Sequence, residues 1–200
     1  MFEPFSPFAP LTELLVAHTI RTNVRGILDS YHSDFDFLIE LCQNAVDALE
    51  ERFGGDEPQS EQPRVEILIN YQTQRVRVSD NGIGMDGGLA RNILSPSFTT
   101  KPYYGSRTKR SLRGHKGVGL TFLAFSGDSF RFATKQDGVT TLSAEMNGGR
   151  SWVQDQGDGL PEPTVQPTDF HPEFLEASSS GSSFELRVDN LNRMQINWAG

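Results

Sequence analysis

Residues 75–85, RVRVSDNGIGM, carry the decision about the fold. Apolar and polar residues alternate through Gln74–Ser79, which reads as a strand with Val76 and Val78 on one face. Asp80-Asn81-Gly82-Ile83-Gly84-Met85 follows it directly. Asp-Asn-Gly is a common turn signal, and an Asx-type hairpin turn would account for it. Glycines at alternate positions, Gly82 and Gly84, also let a backbone come close to a flat ligand. An Asp at the start of such a turn can accept from an exocyclic amine, and Met85 can pack on a ring face.

On the N-terminal side, Arg64–Tyr71 alternates in the same way (Val65, Ile67, Ile69) and pairs through a turn at Gln72-Thr73. A polar loop spans Asp56–Pro63. Before it, Ser33 or Asp34 caps a helix that runs to about Phe53, where Gly54-Gly55 stops it. An earlier helix is read over Leu11–Leu28, with Leu11, Leu14, Leu15, His18, Thr19 and Thr22 at helical spacing. Residues 1–10 (MFEPFSPFAP) read as an extended arm. On the C-terminal side a short helix lies near Leu89–Leu94, then a long polar segment from Ser95 to Arg113. Gly114–Gly119 opens a helix over Leu120–Phe125. Phe130–Thr134, Thr140–Glu145 and Trp152–Gln154 read as strands of a meander. Residues 155–183 read as one long loop and Ser183–Val188 as a last strand. The chain reaches Trp198-Ala199-Gly200 without a clear stop, so 191–200 is expected to begin a linker in a longer protein. The expected fold class is α+β, helices on one face of a mostly antiparallel sheet in two layers.

With 200 residues, 36% of them apolar and 14 of them Phe, the chain can bury a single core and is not disordered as a whole. No run of 18 apolar residues exists, so no helical membrane span is expected. Met1-Phe2-Glu3-Pro4 has neither the basic nor the apolar region of a secretory signal. A single Cys excludes an internal disulfide and a multi-Cys zinc site, and fits a reducing cytoplasm. A net charge of −8 argues against broad nucleic-acid binding, with Arg107–Arg113 as a local basic exception.

The second helix has two faces. Phe35, Ile39, Cys42, Val46, Leu49 and Phe53 form an apolar stripe. Glu40, Asn44 and Asp47, at i, i+4 and i+7, stay within roughly 60° of one another on a second stripe roughly 130° away. A solvated acidic face is the plain explanation. Ala45 and Ala48 beside the polar stripe leave room for something to approach closely.

Gly114-His115-Lys116-Gly117-Val118-Gly119 precedes a helix. Its glycines permit backbone N–H groups to converge on phosphate oxygens at a helix N-terminus, and Lys116 adds a mobile positive charge. It is neither a P-loop nor a dinucleotide fingerprint, since no G-x-x-x-x-G-K-[ST] and no βαβ unit occur.

In this order, Glu40–Ala48, Asp80–Met85 and Gly114–Leu120 resemble the N, G1 and G2 boxes of the GHKL ATPases, which include DNA gyrase B, heat-shock chaperones, histidine kinases and MutL. The resemblance spans about residues 33–190 and is nearest to the hydrolytic branch. It implies a Bergerat fold, an ATP-binding domain over 11–190 that uses ATP with Mg²⁺. Asn44 would ligate Mg²⁺ and Glu40 would orient or deprotonate the attacking water. Asp47 would lie close to the nucleotide. Asp80 would accept from the adenine N6 amine, sharing a water with Ser182 of Gly181-Ser182, where the family usually has Gly-Thr. Gly82, Gly84 and Met85 would form the adenine slot. Lys116 and the amides of Gly117, Val118 and Gly119, with Gly114, would hold the phosphates. Ser95-Pro-Ser-Phe98-Thr99-Thr100-Lys101-Pro102 is similar to the F box that begins the lid of histidine kinases, making Lys101 a second phosphate contact and 95–113 the ATP lid.

The resemblance thus implies slow ATP hydrolysis, with lid closure and a nucleotide-dependent homodimer driving a larger protein and an unidentified client. The N-terminal arm would then serve as an exchange arm. DNA binding by this segment is left open by the basic lid and is not favoured. Two alternatives remain at this point. One is a histidine kinase, for which His18-Thr-Ile-Arg21 resembles a phosphoacceptor box; only 26 residues separate His18 from Asn44, and His18 reads as a packed core residue. The other is a nucleotide-gated binding module with negligible turnover.

Overall fold

The computed structural model describes residues 13–55, 60–92, 94, 118–156, 159–189 and 191. Two helices come first, α1 (Glu13–Leu28) and α2 (Asp36–Phe53). A hairpin of β1 (Val65–Asn70) and β2 (Arg75–Asp80) leads to α3 (Gly87–Asn92) and α4 (Gly119–Ser126). A second hairpin, β3 (Ser129–Gln136) and β4 (Val139–Asn147), leads to α5 (Gly149–Gln154). The chain closes with β5 (Val165–Pro167), α6 (Glu173–Glu176) and β6 (Gly181–Arg187). The arm at 1–10, the lid at 95–113 and residues 192–200 lie outside the described residues.

Among the described residues the strands form one sheet in the order β1-β2-β6-β3-β4-β5, with every neighbouring pair antiparallel. The last strand is therefore inserted at the centre. Its register sets Ser182 opposite Asp80 of β2 on one side and opposite Thr134 of β3 on the other. Tight turns hold this arrangement. Asp137 and Gly138, with φ of 51° and 81°, make the two-residue link between β3 and β4 that matches strand twist. Asn70 Oδ1 accepts from the N–H groups of Gln72 and Thr73, both at 3.0 Å, closing the β1–β2 turn.

Period-two alternation puts Val76 and Val78, Phe130 and Phe132, and Phe184 and Leu186 on the face that α2 and α4 cover. The three Phe rings pack with centroids 5.9–6.1 Å apart. Burial of each such side chain stabilises the domain by about 1.5–3 kcal/mol. The two-layer α+β sandwich expected from the pattern is the architecture found. The other face is partly covered as well: Phe170 and Leu175 pack on Ala133, and the Arg131 guanidinium lies 4.9 Å above the Phe170 ring. The stretch read as one long loop, 155–183, thus contains β5, α6 and the first residues of β6, and contributes core.

Several local expectations are corrected. Trp152–Gln154 is helix α5, not a strand. Gly148 at φ 77° starts it, and Asp128 accepts from the Ser151 N–H and hydroxyl at 2.8 and 3.0 Å. The N-cap of α2 is Phe35, without a side-chain cap bond. Asp36 instead reaches back, its Oδ2 accepting from His32 and Ser33 N–H at 2.8 Å. His18 is exposed; the buried side of α1 runs through Arg21 and Val24, with the Arg21 guanidinium 4.7 Å over the Trp152 ring.

The stripe of α2 that turns inward also differs. Phe37, Leu41, Ala45 and Asp47 are buried, whereas Phe35 and Ile39 are 37% and 48% exposed. Apolar residues run round much of this helix, so periodicity offered more than one candidate stripe. The small side chains decide: Ala48 O accepts the Ile83 N–H at 3.1 Å, drawing the turn after β2 onto the helix. The polar stripe consequently sits beside the buried one.

Candidate functional site

The site grows from the end of β2. Asp80 is 2% exposed, and its Oδ1 accepts the Gly82 N–H at 2.8 Å. Burial pushes its carboxyl up to about 7, against the opposing pull of N–H donors from Gly82 and Ser182. Asn81 is fully buried beside it. Its Oδ1 accepts the Arg64 N–H at 2.6 Å, its Nδ2 donates to Gln62 O at 2.8 Å, and its carbonyl accepts from Arg52 Nη1 at 2.6 Å. This latch ties the turn to both α2 and the strand before it.

The glycines of the turn have a steric reason on the protein's own side. A Cβ on Gly82 would lie 2.6 Å from Ala48, and one on Gly84 would lie 2.0 Å from Lys135 O. Gly84 also has φ +72°, a conformation that L side chains rarely adopt. The close approach visible at both positions is therefore to α2 and to β3.

Thr134 fastens the end of this turn to the sheet. Its hydroxyl oxygen accepts the Met85 N–H at 2.9 Å and lies 3.2 Å from the Ser182 hydroxyl. Met85 O in turn accepts from Thr141 Oγ1 at 2.6 Å. Asp80, Ser182 and Thr134 are thus one row across three strands, with Met85 held at its far end.

Glu40, Asn44 and Asp47 lie on α2, whose Ala48 meets the turn that follows Asp80. Glu40 Oε1 accepts from the Tyr31 hydroxyl at 2.8 Å. Its Oε2 faces the first turn of α4, where a Cβ on Gly119 would lie 2.2 Å away. The Asn44 amide nitrogen is buried and has no hydrogen-bond partner among the described residues. Thr121 Oγ1, on α4, is likewise buried without one among them. These two buried polar atoms sit on helices that pack against each other, and each lacks the partner a polar ligand could supply.

Of the segment expected from the sequence to bind phosphate, Val118 and Gly119 belong to the described residues, and the Val118 carbonyl accepts the Phe122 N–H at 2.8 Å to start α4. Lys101, Gly114, Lys116 and Gly117 lie outside them. No group of three or more His, Cys, Asp or Glu able to hold a metal occurs among the described residues. The orphaned Asn44 atom is Nδ2, an N–H donor that an anionic ligand oxygen would satisfy; a Mg²⁺ held largely by a ligand's own oxygens and water would take the Asn44 Oδ1 as the protein's contribution. No described helix is long and apolar enough to cross a membrane. A groove of about 950 Å³ opens near the other end of α4, lined by Arg25, Phe37, Phe122, Arg150 and Asp189 among others. None of the site residues expected from the sequence lines it.

Three participants escaped the sequence reading. Tyr31 and Asn81 carried no periodic signal for a role, although Asn81 stands inside the turn after β2. Thr134 enters through strand register, which local sequence does not reveal.

Comparison with known proteins agrees with this fold. Residues 31–171 match the family described as histidine kinase-, DNA gyrase B-, and HSP90-like ATPase. The chaperone protein HtpG of Mesorhizobium japonicum is 32% identical over 162 residues, covering 73% of this chain and 24% of that protein. HtpG of Nitrobacter hamburgensis is 29% identical over 154 residues, covering 72% and 24%. The chain therefore spans about a quarter of the length of these relatives. The ATPase region of Saccharomyces cerevisiae topoisomerase II superposes with a TM-score of 0.52 at 16% identity, covering 81% of this chain and 39% of that one, which shows a shared fold.

Proposed function

Because the chain belongs to the histidine kinase-, DNA gyrase B-, and HSP90-like ATPases, we propose that it binds ATP with Mg²⁺ and hydrolyses it, with Glu40 as the base. The observation that carries this reading is the placement of Glu40. Its carboxylate stands between a hydroxyl donor on one oxygen and the first turn of α4 on the other. A phosphate at that turn would meet the Val118 and Gly119 amides, and a water beside it would be within reach of Oε2 for proton removal. General-base action of this kind contributes about 10²–10⁴ in rate.

At the other end, Asp80 accepts the exocyclic amine of adenine, with Ser182 and Thr134 holding the row. Gly82, Gly84 and Met85 shape the slot around the ring, and Asp47 borders it. Asn44 places an amide oxygen toward the phosphates, where Mg²⁺ supplies charge neutralisation when bound. Lys101, Gly114, Lys116 and Gly117 complete the phosphate contacts. The segment 95–113 acts as a lid over a domain spanning 11–190, and the arm at 1–10 exchanges between two copies when nucleotide is bound. The single Cys42 suits a reducing cytoplasm.

Phosphate release from γ-labelled ATP tests this reading. Wild type should release inorganic phosphate slowly, and Glu40→Gln should bind ATP as tightly and release at least about a hundredfold less. The exposed His18 favours one rival, a kinase that labels its own chain. Label that stays on the protein in wild type and is absent from His18→Ala would replace hydrolysis with that rival. Binding without release in both wild type and Glu40→Gln would leave a nucleotide-gated module.

A further inference from the structure

Tyr31 lies in the turn between α1 and α2, nine residues before Glu40. Its hydroxyl donates to Glu40 Oε1 at 2.8 Å. Its ring lies flat on Phe122, with centroids 3.7 Å apart and planes 14° from parallel. Phe122 follows Gly119 by three residues on α4, so one helix turn presents its N–H end to Glu40 Oε2 and fixes the Tyr31 ring. Burial drives the Tyr31 hydroxyl far above its ordinary range, and the hydrogen bond to Glu40 with the negative charges of Glu40 and Asp36 adds to this. Tyr31 therefore stays protonated and is a permanent donor.

We propose that Tyr31 is a positioning residue for Glu40, holding Oε1 so that Oε2 stays aimed at the first turn of α4. The inference rests on the hydrolytic reading of Glu40. A glutamate side chain left to its own rotamers spends little time at one reactive geometry, and a displacement of about 1 Å lowers rate about a hundredfold. The stack on Phe122 makes the clamp rigid and couples it to the helix that meets the phosphates.

Tyr31→Phe tests the clamp, because it keeps the ring and its stack and removes the hydroxyl alone. Four quantities are read on the whole chain: kcat and KM for ATP, the affinity for a non-hydrolysable ATP analogue with Mg²⁺, and the melting temperature. The expected result is kcat lower by about 10- to 100-fold, with KM and analogue affinity within about twofold and an unchanged melting temperature. In a Glu40→Gln background the same substitution should lower kcat no further. A kcat within twofold of wild type overturns the inference while Glu40→Gln still abolishes turnover. A fall in affinity and melting temperature together overturns it in favour of a packing role. Wild type without turnover, or Glu40→Gln with full turnover, overturns the hydrolytic reading itself.

Discussion

Replacing Asp80 by Asn should stabilise the free protein above neutral pH while removing its ligand. Burial raises the Asp80 carboxyl from 3.8 to about 7, so between these values the folded chain holds a proton that the unfolded chain has released. Stability therefore falls as pH rises from about 4 to about 7 and levels off beyond. At 1.36 kcal/mol per unit, keeping the ionised group buried costs about 4 kcal/mol at pH 8. Asn has the same shape, keeps an oxygen for the Gly82 N–H now bonded at 2.8 Å, and carries no charge. The difference in melting temperature, variant minus wild type, should be close to zero at pH 4. At pH 8 it should be positive by about 8–16 °C, using about 2–4 °C per kcal/mol for a chain of this size. Scanning calorimetry of both proteins across this range reads it directly, and other titrating groups cancel in the difference. A variant less stable than wild type at pH 8, or a difference that does not change with pH, would refute this role for Asp80. The energetic penalty is the mark of a group kept for a partner: an amine donor from a ligand would draw the carboxyl down and recover part of it.

Other substitutions separate ligand contacts from scaffold. Gly84→Ala puts a Cβ 2.0 Å from Lys135 O at φ +72° and should destabilise by about 2 kcal/mol or more, read from urea midpoints. Asn81→Ala leaves the Arg64 N–H and Gln62 carbonyl without their partner and should cost about 2–4 kcal/mol in the same assay, with nucleotide binding weakened only through loss of the fold. Asn44→Ala removes a buried nitrogen with no partner among the described residues, so the melting temperature should hold or rise. Nucleotide affinity in Mg²⁺ should fall about tenfold and lose most of its Mg²⁺ dependence, read by calorimetric titration with and without the metal.

What the sequence made legible was local. The alternation of Val65, Ile67 and Ile69, and of Val76 and Val78, placed β1 and β2 to within a residue or two, because strand period is a property of neighbours. The glycines at 82 and 84 marked a constrained turn, and Gly119 marked the start of α4. The order of three short motifs placed the family. The remainder depended on contacts far apart in the chain. Which stripe of α2 faces inward was decided by Ala48 meeting Gly82, a pair that periodicity cannot weigh. Phe170 and Leu175 looked like loop residues because their partner, Ala133, lies on another strand. Thr134 and Ser182 meet through the insertion of β6 between β2 and β3. Tyr31 reaches Glu40 only because the turn between α1 and α2 folds back over α4. His18 was drawn into an apolar stripe by spacing, while Arg21, stacked on Trp152, took the buried position.

Asp80 and the polar stripe of α2 are held to form one nucleotide site. Calorimetric titration of a non-hydrolysable ATP analogue with Mg²⁺, into wild type and Asp80→Asn, tests this most directly. The predicted result is one saturable site per chain in wild type and no measurable binding in a variant that is folded and at least as stable at pH 8. Undiminished binding by Asp80→Asn, or none by folded wild type, would contradict it.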